Sequence, residues 1–437
     1  MDSKHAYFIG IKGVGMTSLA LAMADAGWSI SGSDTSETFI TDETLASHHL
    51  GVDPLSAPIP KGTDLIVYSS AYSPPTTINH LRSIPLAQAL AEFVQNRQVI
   101  AVAGVGGKTT TSAMLAALFH AAGRHVGYYV GTSSIAGLPK PGHAGTDPVY
   151  IVEADEYTIS KTDHRPKFSL ITPGVLITTN IIHDHPDIYP TIKDTLVAFT
   201  NLIKSIPVGG TWICNPSDPL TAQIITLQGQ TLQAIKVVPY GSDHPLFNQL
   251  KLSVFGDQNR LDAVAAVLAA QATGLSQAQA ISAIESYHGA GRRQEFHGEV
   301  AGRLLYDDYG HHPREIELTV QSFKEHFPTR RLLLVFESHT YSRTEALLPE
   351  FTRAISYADL VFIMPIFESA REKGQPHTVT PISFAALIPS AAPLTWENAA
   401  ASVWAASKPG DLILTMGAGF VYKLHDQWHP ARSDFTG

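Results

Sequence analysis

An apolar run, Val99-Ile100-Ala101-Val102-Ala103, passes directly into Gly104-Val105-Gly106-Gly107-Lys108-Thr109-Thr110-Thr111-Ser112, and then into the helix-like Ala113-Met114-Leu115-Ala116-Ala117-Leu118-Phe119. A strand, a glycine turn and a helix start in that order commit this part of the chain to an α/β unit. They also aim backbone N–H groups and the positive end of a helix dipole at one point, which suits phosphate. Lys108 supplies a point charge for terminal phosphates and Thr109 a hydroxyl for Mg²⁺. The full P-loop pattern would have a glycine where Val102 stands, so the motif is a shortened one. The alternative is a chance Gly-Gly-Lys-Thr in a surface turn. The flanking strand and helix argue against it.

A second glycine turn lies near the start. Strand Tyr7–Ile11 leads into Gly10, Gly13 and Gly15, then a helix over Met16–Ala26 closed by Gly27, then strand Ser29–Ser31 with Gly32-Ser33-Asp34 just past it. This is a mononucleotide-binding βαβ pattern, although Gly-x-x-Gly-x-Gly is looser than the dinucleotide fingerprint. A further strand, Leu65–Tyr68, ends at Ser69-Ser70, and a helix is expected around Ala87–Arg97. Beyond the phosphate loop come strands Val149–Val152 and Val175–Thr179 and a helix over Asp262–Thr273. From about Arg293, strands Arg303–Tyr306, Arg331–Phe336, Leu360–Pro365 and Asp411–Thr415 alternate with helices Glu315–His326 and Leu348–Ser356. The fold class expected is α/β in three domains: a Rossmann-like N-terminal domain over 1–97, a central P-loop ATPase-type domain over 98–292, and a Rossmann-like C-terminal domain over 293–437.

Acidic and histidine residues gather at strand ends. Glu153-Ala154-Asp155-Glu156 closes one strand, where a sheet carrying a phosphate loop would hold a cation, and Glu153 is the best-placed ligand. Asn180-Ile181-Ile182-His183-Asp184-His185-Pro186-Asp187 closes the next, with spacing suited to metal ligation. Asp307-Asp308-Tyr309-Gly310-His311-His312-Pro313 and Ser338-His339-Thr340-Tyr341-Ser342-Arg343-Thr344 follow strands in the third part, and Arg292-Arg293 precede it. An interdomain cleft is expected to collect these loops. A binuclear metallohydrolase would use the histidines but leave the phosphate loop idle.

Bulk properties narrow the class. With a net charge of -9 and a sequence pI near 6.1, the chain is not expected to bind nucleic acid through a basic surface. Hydrophobic content of 44% and charged content of 16% describe a globular chain. The single cysteine, Cys214, rules out an internal disulfide. No apolar run reaches membrane-spanning length, and a cytoplasmic protein without membrane partners is expected.

Together these segments resemble the Mur ligases, ATP-dependent peptide-bond-forming enzymes of peptidoglycan synthesis. The resemblance runs through Gly10-Ile11-Lys12-Gly13-Val14-Gly15-Met16, Gly107-Lys108-Thr109-Thr110, Glu153-Ala154-Asp155-Glu156, Thr179-Asn180-Ile181, Asp184-His185, Gly291-Arg292-Arg293, Asp307–Pro313 and Tyr341-Ser342-Arg343-Thr344. It implies that Gly10, Gly13, Val14, Gly15, Met16, Ser33, Asp34 and Ser70 hold a UDP-sugar. It implies that Gly104, Gly107, Lys108, Thr109, Thr110, Asn259, Arg293 and Asp308 hold ATP. Thr109 and Glu153 would bind Mg²⁺ (Mn²⁺ is the alternative), and His185 a second ion. Lys108, Glu153, His185, His339 and Arg343 would be catalytic, the last two near the incoming amino acid.

Within the family the chain looks most like the branch that adds L-alanine to UDP-N-acetylmuramate, acting as a monomer or homodimer. Glu153–Tyr157 and Asp163-His164-Arg165-Pro166-Lys167-Phe168 look more like the branch that recycles murein tripeptide, so a short peptide is the alternative partner. The chain departs from the family at Gly106, commonly His or Asn; at Gln258, where the alanine ligases usually have His; and at Ser338-His339-Thr340, which replaces Pro-His-Arg. Two other classes stay open: an NAD(P)-dependent oxidoreductase on the first glycine loop, and a non-catalytic UDP-sugar-binding relative.

Overall fold

Three runs of apolar β-residues, each followed by a helix, set the architecture. The computed structural model describes residues 4–73, 81–185, 188–229, 231–368, 372 and 376–429. Among the described residues the strands form sheets of five, seven and six members. Contacts divide the chain into two units. One runs to Ser253 and takes up Asn259–Gly291; the other holds Val254–Gln258 and the chain from Arg292 onward.

The first unit carries two sheets. In the five-stranded one, His5–Ile9 lies centrally between Ser29–Asp34 and Leu65–Tyr68, and all neighbours run parallel. The seven-stranded sheet centres on Gln98–Ala103, flanked in parallel by Val175–Thr178 and Val149–Glu153. Val99 to Ala103 are all buried, the pattern of a parallel strand covered by helices on both faces. Register aligns the loops that follow: Val102 pairs with Glu153 and Ala103 with Thr178, so Glu153 ends its strand two residues before the level of Gly104, and Thr179 stands level with Gly104.

The two sheets are locked together through the helix after the first glycine turn, Val14–Asp25. Ser18 Oγ donates to the Val130 carbonyl at 2.6 Å, and the end of the helix is tied by Asp25 to Lys140 and His143. The hairpin of Gly127–Tyr129 and Gly142–His143 lies so close that a Cβ at Gly142 would run into the Ser18 carbonyl, which is backbone and cannot step aside. A Gly142→Ala protein is therefore expected to lose about 1–3 kcal/mol in urea unfolding. Gly51→Ala, where a Cβ meets nothing within 4 Å, should change stability little.

In the second unit a six-stranded sheet is parallel except for Glu295–Val300, an antiparallel edge strand that the sequence pattern does not announce. Asp308 and Phe336 both pair with Met416, so three loops leave the same edge side by side. The excursion Val254–Gln258 joins this unit because Phe255 rests among Tyr306, Phe323, His326 and Phe327.

Several boundaries differ from expectation. The first strand ends at Ile9 and its helix begins at Val14, two residues early, which places Val14 and Gly15 inside the helix. The second strand runs on to Asp34, so that carboxylate ends the strand instead of following it. The helix expected over 87–97 is Leu86–Phe93, and that expected over 262–273 begins at Asp257.

Candidate active site

Gly107 caps the helix Lys108–Ala121 with φ of 83°, a conformation that favours glycine, and a Cβ there would press on the Asp262 carboxylate at 2.7 Å. Gly104 opens the loop against Thr179 and Asn180. Asn180 Oδ1 accepts from the amides of Val105 (3.1 Å) and Gly106 (3.0 Å), while its Nδ2 donates to the Gly106 carbonyl at 2.9 Å. Thr179 Oγ1 donates to the same carbonyl at 2.6 Å. A side-chain amide thus shapes the turn around Gly106, where the family commonly carries a larger residue. Asn180→Ala leaves two loop amides without this partner, and the Michaelis constant for ATP is expected to rise about tenfold, read from steady-state kinetics.

Lys108 Nζ donates to the Gly104 carbonyl at 2.6 Å and forms an ion pair with Glu156 at 2.9 Å. Burial opposes its charge. Glu156, with Asp155 and Glu153 behind it, more than offsets this and holds the ammonium protonated above the ordinary lysine range. Next along the helix, Thr109 Oγ1 donates to Glu153 Oε1 at 2.8 Å, and Gly131 N–H donates to Glu153 Oε2 at 2.7 Å. Thr110 is buried in the same first turn.

His185 does not join Glu153. It stands at φ of 56° with Nε2 3.4 Å from Glu156 and 3.7 Å from Asp184. The ligand atoms of Glu156, Asp184 and His185 all lie within 4.8 Å of one another. Two carboxylates and an imidazole beside a phosphate loop fit a hard divalent cation such as Mg²⁺ or Mn²⁺. Thr109 and Glu153 make a second pair with oxygen donors. Glu156 was not singled out from sequence; its place as the last acid of Glu153-Ala154-Asp155-Glu156 was the available signal. Pro186 and Asp187 lie outside the described residues. Asp155 faces Lys167 at 2.7 Å, and although burial would raise its carboxyl, Lys167 and Lys108 bring it below the usual range.

Asn259 is buried on the first turn of Asp257–Ala272, one turn before Asp262. Asp262 is the residue of that helix that lies against Gly107 of the phosphate loop.

At the first glycine turn, Gly10 N–H donates to the Ser33 carbonyl (2.8 Å) and Lys12 N–H to Asp34 Oδ2 (2.8 Å). Tyr72 hydroxyl donates to Asp34 Oδ1 at 3.1 Å, on the turn that also holds Ser70. Gly10, Gly13, Val14, Ser33, Asp34 and Ser70 thus form one cluster. Gly15 and Met16 take another part. Gly15 makes room for the Tyr129 hydroxyl, and the Met16 side chain is core, so their backbone at the helix start is what a ligand would meet.

In the second unit, Asp307, Asp308 and the Arg292 segment form a buried knot. Arg292 Nε donates to Asp307 at 2.7 Å, its Nη1 to the Gly419 carbonyl at 3.0 Å and its Nη2 to the Gly417 carbonyl at 2.6 Å. Its guanidinium lies between Tyr309 and Tyr422. Asp308 accepts from Gly310 N–H (2.8 Å) and Gln294 N–H (2.9 Å). Burial pushes its carboxyl up to about 6 against the pull of Arg293, which lies over Tyr309. His339 stacks on Phe367 at 5.0 Å with His311 6.0 Å away, and Arg343 is buried.

Glu337 accepts from Val421 N–H at 2.7 Å, and burial pushes it up to about 7. Its folded value lies above the unfolded one near 4.5, so the folded state binds the proton more tightly. That contribution is complete below about pH 4.5 and fades as pH rises through about 7. A Glu337→Gln protein should match the parent melting temperature at pH 5 and exceed it at pH 8.5, by the equivalent of about 1–3 kcal/mol. His425, lowered to about 3 by burial and by His297, works the other way: its contribution is present above about pH 6.5 and fades as pH falls.

Comparison with known proteins matches three consecutive family descriptions: "Mur ligase family, catalytic domain" over 5–98, "Mur ligase middle domain" over 102–270, and "Mur ligase, glutamate ligase domain" over 292–419. The UDP-N-acetylmuramate–L-alanine ligase of Desulfitobacterium hafniense is 33% identical, covering 96% of this chain and 98% of its own. That of Desulforapulum autotrophicum is 30% identical over 96% and 97%. Among solved structures, the UDP-N-acetylmuramate–alanine ligase of Thermotoga maritima shares the fold with a TM-score of 0.74, at 20% identity over 97% and 98% of the two chains. A murein peptide ligase of Psychrobacter arcticus does so at 0.69, with 22% identity over 98% of each.

Proposed function

The chain belongs to the Mur ligase family, and from that premise we propose that it joins L-alanine to UDP-N-acetylmuramate with cleavage of ATP. The observation that carries the reading is the edge of the central sheet. There Lys108, the Thr109–Glu153 pair and the Glu156–Asp184–His185 group surround one glycine loop. A binding protein for a UDP-sugar needs none of these, and an NAD(P) enzyme leaves them idle.

In the proposed reaction a carboxylate oxygen of the sugar attacks the γ-phosphorus, ADP departs, and an acyl phosphate results. Amine nitrogen then attacks the acyl carbon, loses its proton, and inorganic phosphate leaves with the former carboxylate oxygen. A divalent cation, Mg²⁺ or Mn²⁺, would sit on the Glu156 group and on Thr109–Glu153 and neutralise phosphate charge. Lys108 holds the terminal phosphates and offsets the charge that builds on the leaving oxygen. Asn259, Arg293 and Asp308 are proposed to face the nucleotide, and His339 and Arg343 the amino acid. Segments 1–97, 98–292 and 293–437 would divide the UDP-sugar, ATP and amino-acid tasks, in the cytoplasm where ATP and nucleotide sugars are available.

The test is ADP release in the presence of ATP, Mg²⁺ and UDP-N-acetylmuramate against a panel of amines. L-Alanine is expected to drive release and murein tripeptide not. Release with tripeptide alone would move the assignment to peptide recycling.

A further inference from the structure

Glu337 is buried to 1% exposure at the end of Leu332–Phe336, yet no step above uses it. Its surroundings are built around it. Its carboxylate accepts Val421 N–H at 2.7 Å, and its own N–H donates to the Met416 carbonyl at 2.9 Å. Side chains at Gly417 or Gly419 would collide with its carbonyl and its carboxylate respectively, so the loop 417–421 closes on it with glycine at those two positions. From the other side Arg292 holds the Gly417 and Gly419 carbonyls. One carboxyl group and one guanidinium therefore grip a single loop by its N–H and C=O groups.

The loop has a reach beyond itself. Phe420 meets Phe367 edge-on at 5.6 Å, and Phe367 stacks on His339 at 5.0 Å with 10° between the rings. Phe367 is tied in turn to the strand that carries His339: its N–H donates to the Ser338 carbonyl at 2.8 Å, and Thr340 N–H donates to its carbonyl at 2.9 Å. The imidazole is thus oriented by a ring whose other neighbour is Phe420.

We propose that Glu337 is a positioning residue for amine capture. It draws the loop 417–421 onto the strand end bearing His339 and fixes that imidazole through Phe420 and Phe367. This rests on the ligase reading, in which His339 lies near the incoming amine. A residue that acts only there should alter amine use and leave the other two substrates alone.

The test is steady-state kinetics of the full-length enzyme with each substrate varied in turn. Glu337→Ala is expected to raise the Michaelis constant for L-alanine about tenfold or more, and those for ATP and UDP-N-acetylmuramate less than about twofold. Glu337→Gln keeps an acceptor oxygen and should restore the amine constant to within about threefold of the parent. Equal rises for all three substrates, an unchanged amine constant, or a glutamine variant no better than alanine would overturn the proposal. Should Glu337→Ala fail to fold, Phe420→Leu cuts the relay and spares the Glu337 hydrogen bond. It must give the same selective rise, and an unchanged amine constant there overturns the proposal equally. A parent enzyme that forms ADP with no amine tested would defeat the ligase reading itself, and this inference with it.

Discussion

Lys108→Ala is expected to lower ADP formation with UDP-N-acetylmuramate and L-alanine by about 10³-fold or more, with the fold intact. The size follows from what the lysine faces. Its ammonium is the group on the glycine loop that can meet terminal phosphates directly, and its geometry is already set by the Gly104 carbonyl and by Glu156. Without it, Glu156, Asp155 and Glu153 lose the cation that they all influence, and the local field turns against a polyanionic nucleotide. Both binding of ATP and stabilisation of the transferring phosphoryl group should suffer. Circular dichroism and the melting temperature of the variant separate this from misfolding. Turnover left unchanged would show that Lys108 does not act on the transferring phosphoryl group, and a parent protein that forms no ADP with any amine would favour a non-catalytic UDP-sugar-binding protein.

The second large effect concerns stability. Arg292→Met is expected to destabilise the protein by about 3–5 kcal/mol, measured by urea unfolding, because it strands a fully buried Asp307. It also removes the donors to the carbonyls of Gly417 and Gly419. Thr415 still donates to Asp307, which is too little to hold a lone carboxylate there. Combining Arg292→Met with Asp307→Asn should recover part of the loss, since the pair fails together less badly than it fails alone. Additive losses would show that Asp307 takes its support elsewhere.

Much of the phosphate loop was legible because chemistry and fold impose the same residues there. Gly107 must adopt a positive φ and Lys108 must begin a helix, and both leave a mark in sequence. Strands buried on both faces, such as Gln98–Ala103, are equally visible as unbroken apolar runs. The edge strands Val52–Pro54 and Arg82–Pro85 were not, since they are short and partly exposed and carry no such run. Site residues divided along the same line. Glu153 ends the strand that pairs with Val102 and meets Thr109 at the helix start, and an acid at a strand end is readable. The partnership of Glu156 with Asp184 and His185 depends on a turn at His185 and on packing between two loops, which spacing does not encode. Gly15 shows the converse. It looked like a phosphate-loop glycine, yet its missing side chain makes room for Tyr129 of the neighbouring sheet. Glu337 escaped notice because nothing near it in the sequence announces the glycines, some eighty residues on, that close over it.

The most direct measurement of the central claim follows a single atom. UDP-N-acetylmuramate labelled with oxygen-18 in its carboxylate is incubated with ATP, Mg²⁺ and L-alanine, and the released phosphate is examined by mass spectrometry. An acyl-phosphate route predicts one labelled oxygen in inorganic phosphate for every amide formed. Amide formation with unlabelled phosphate, or phosphate release with no amide, would contradict it.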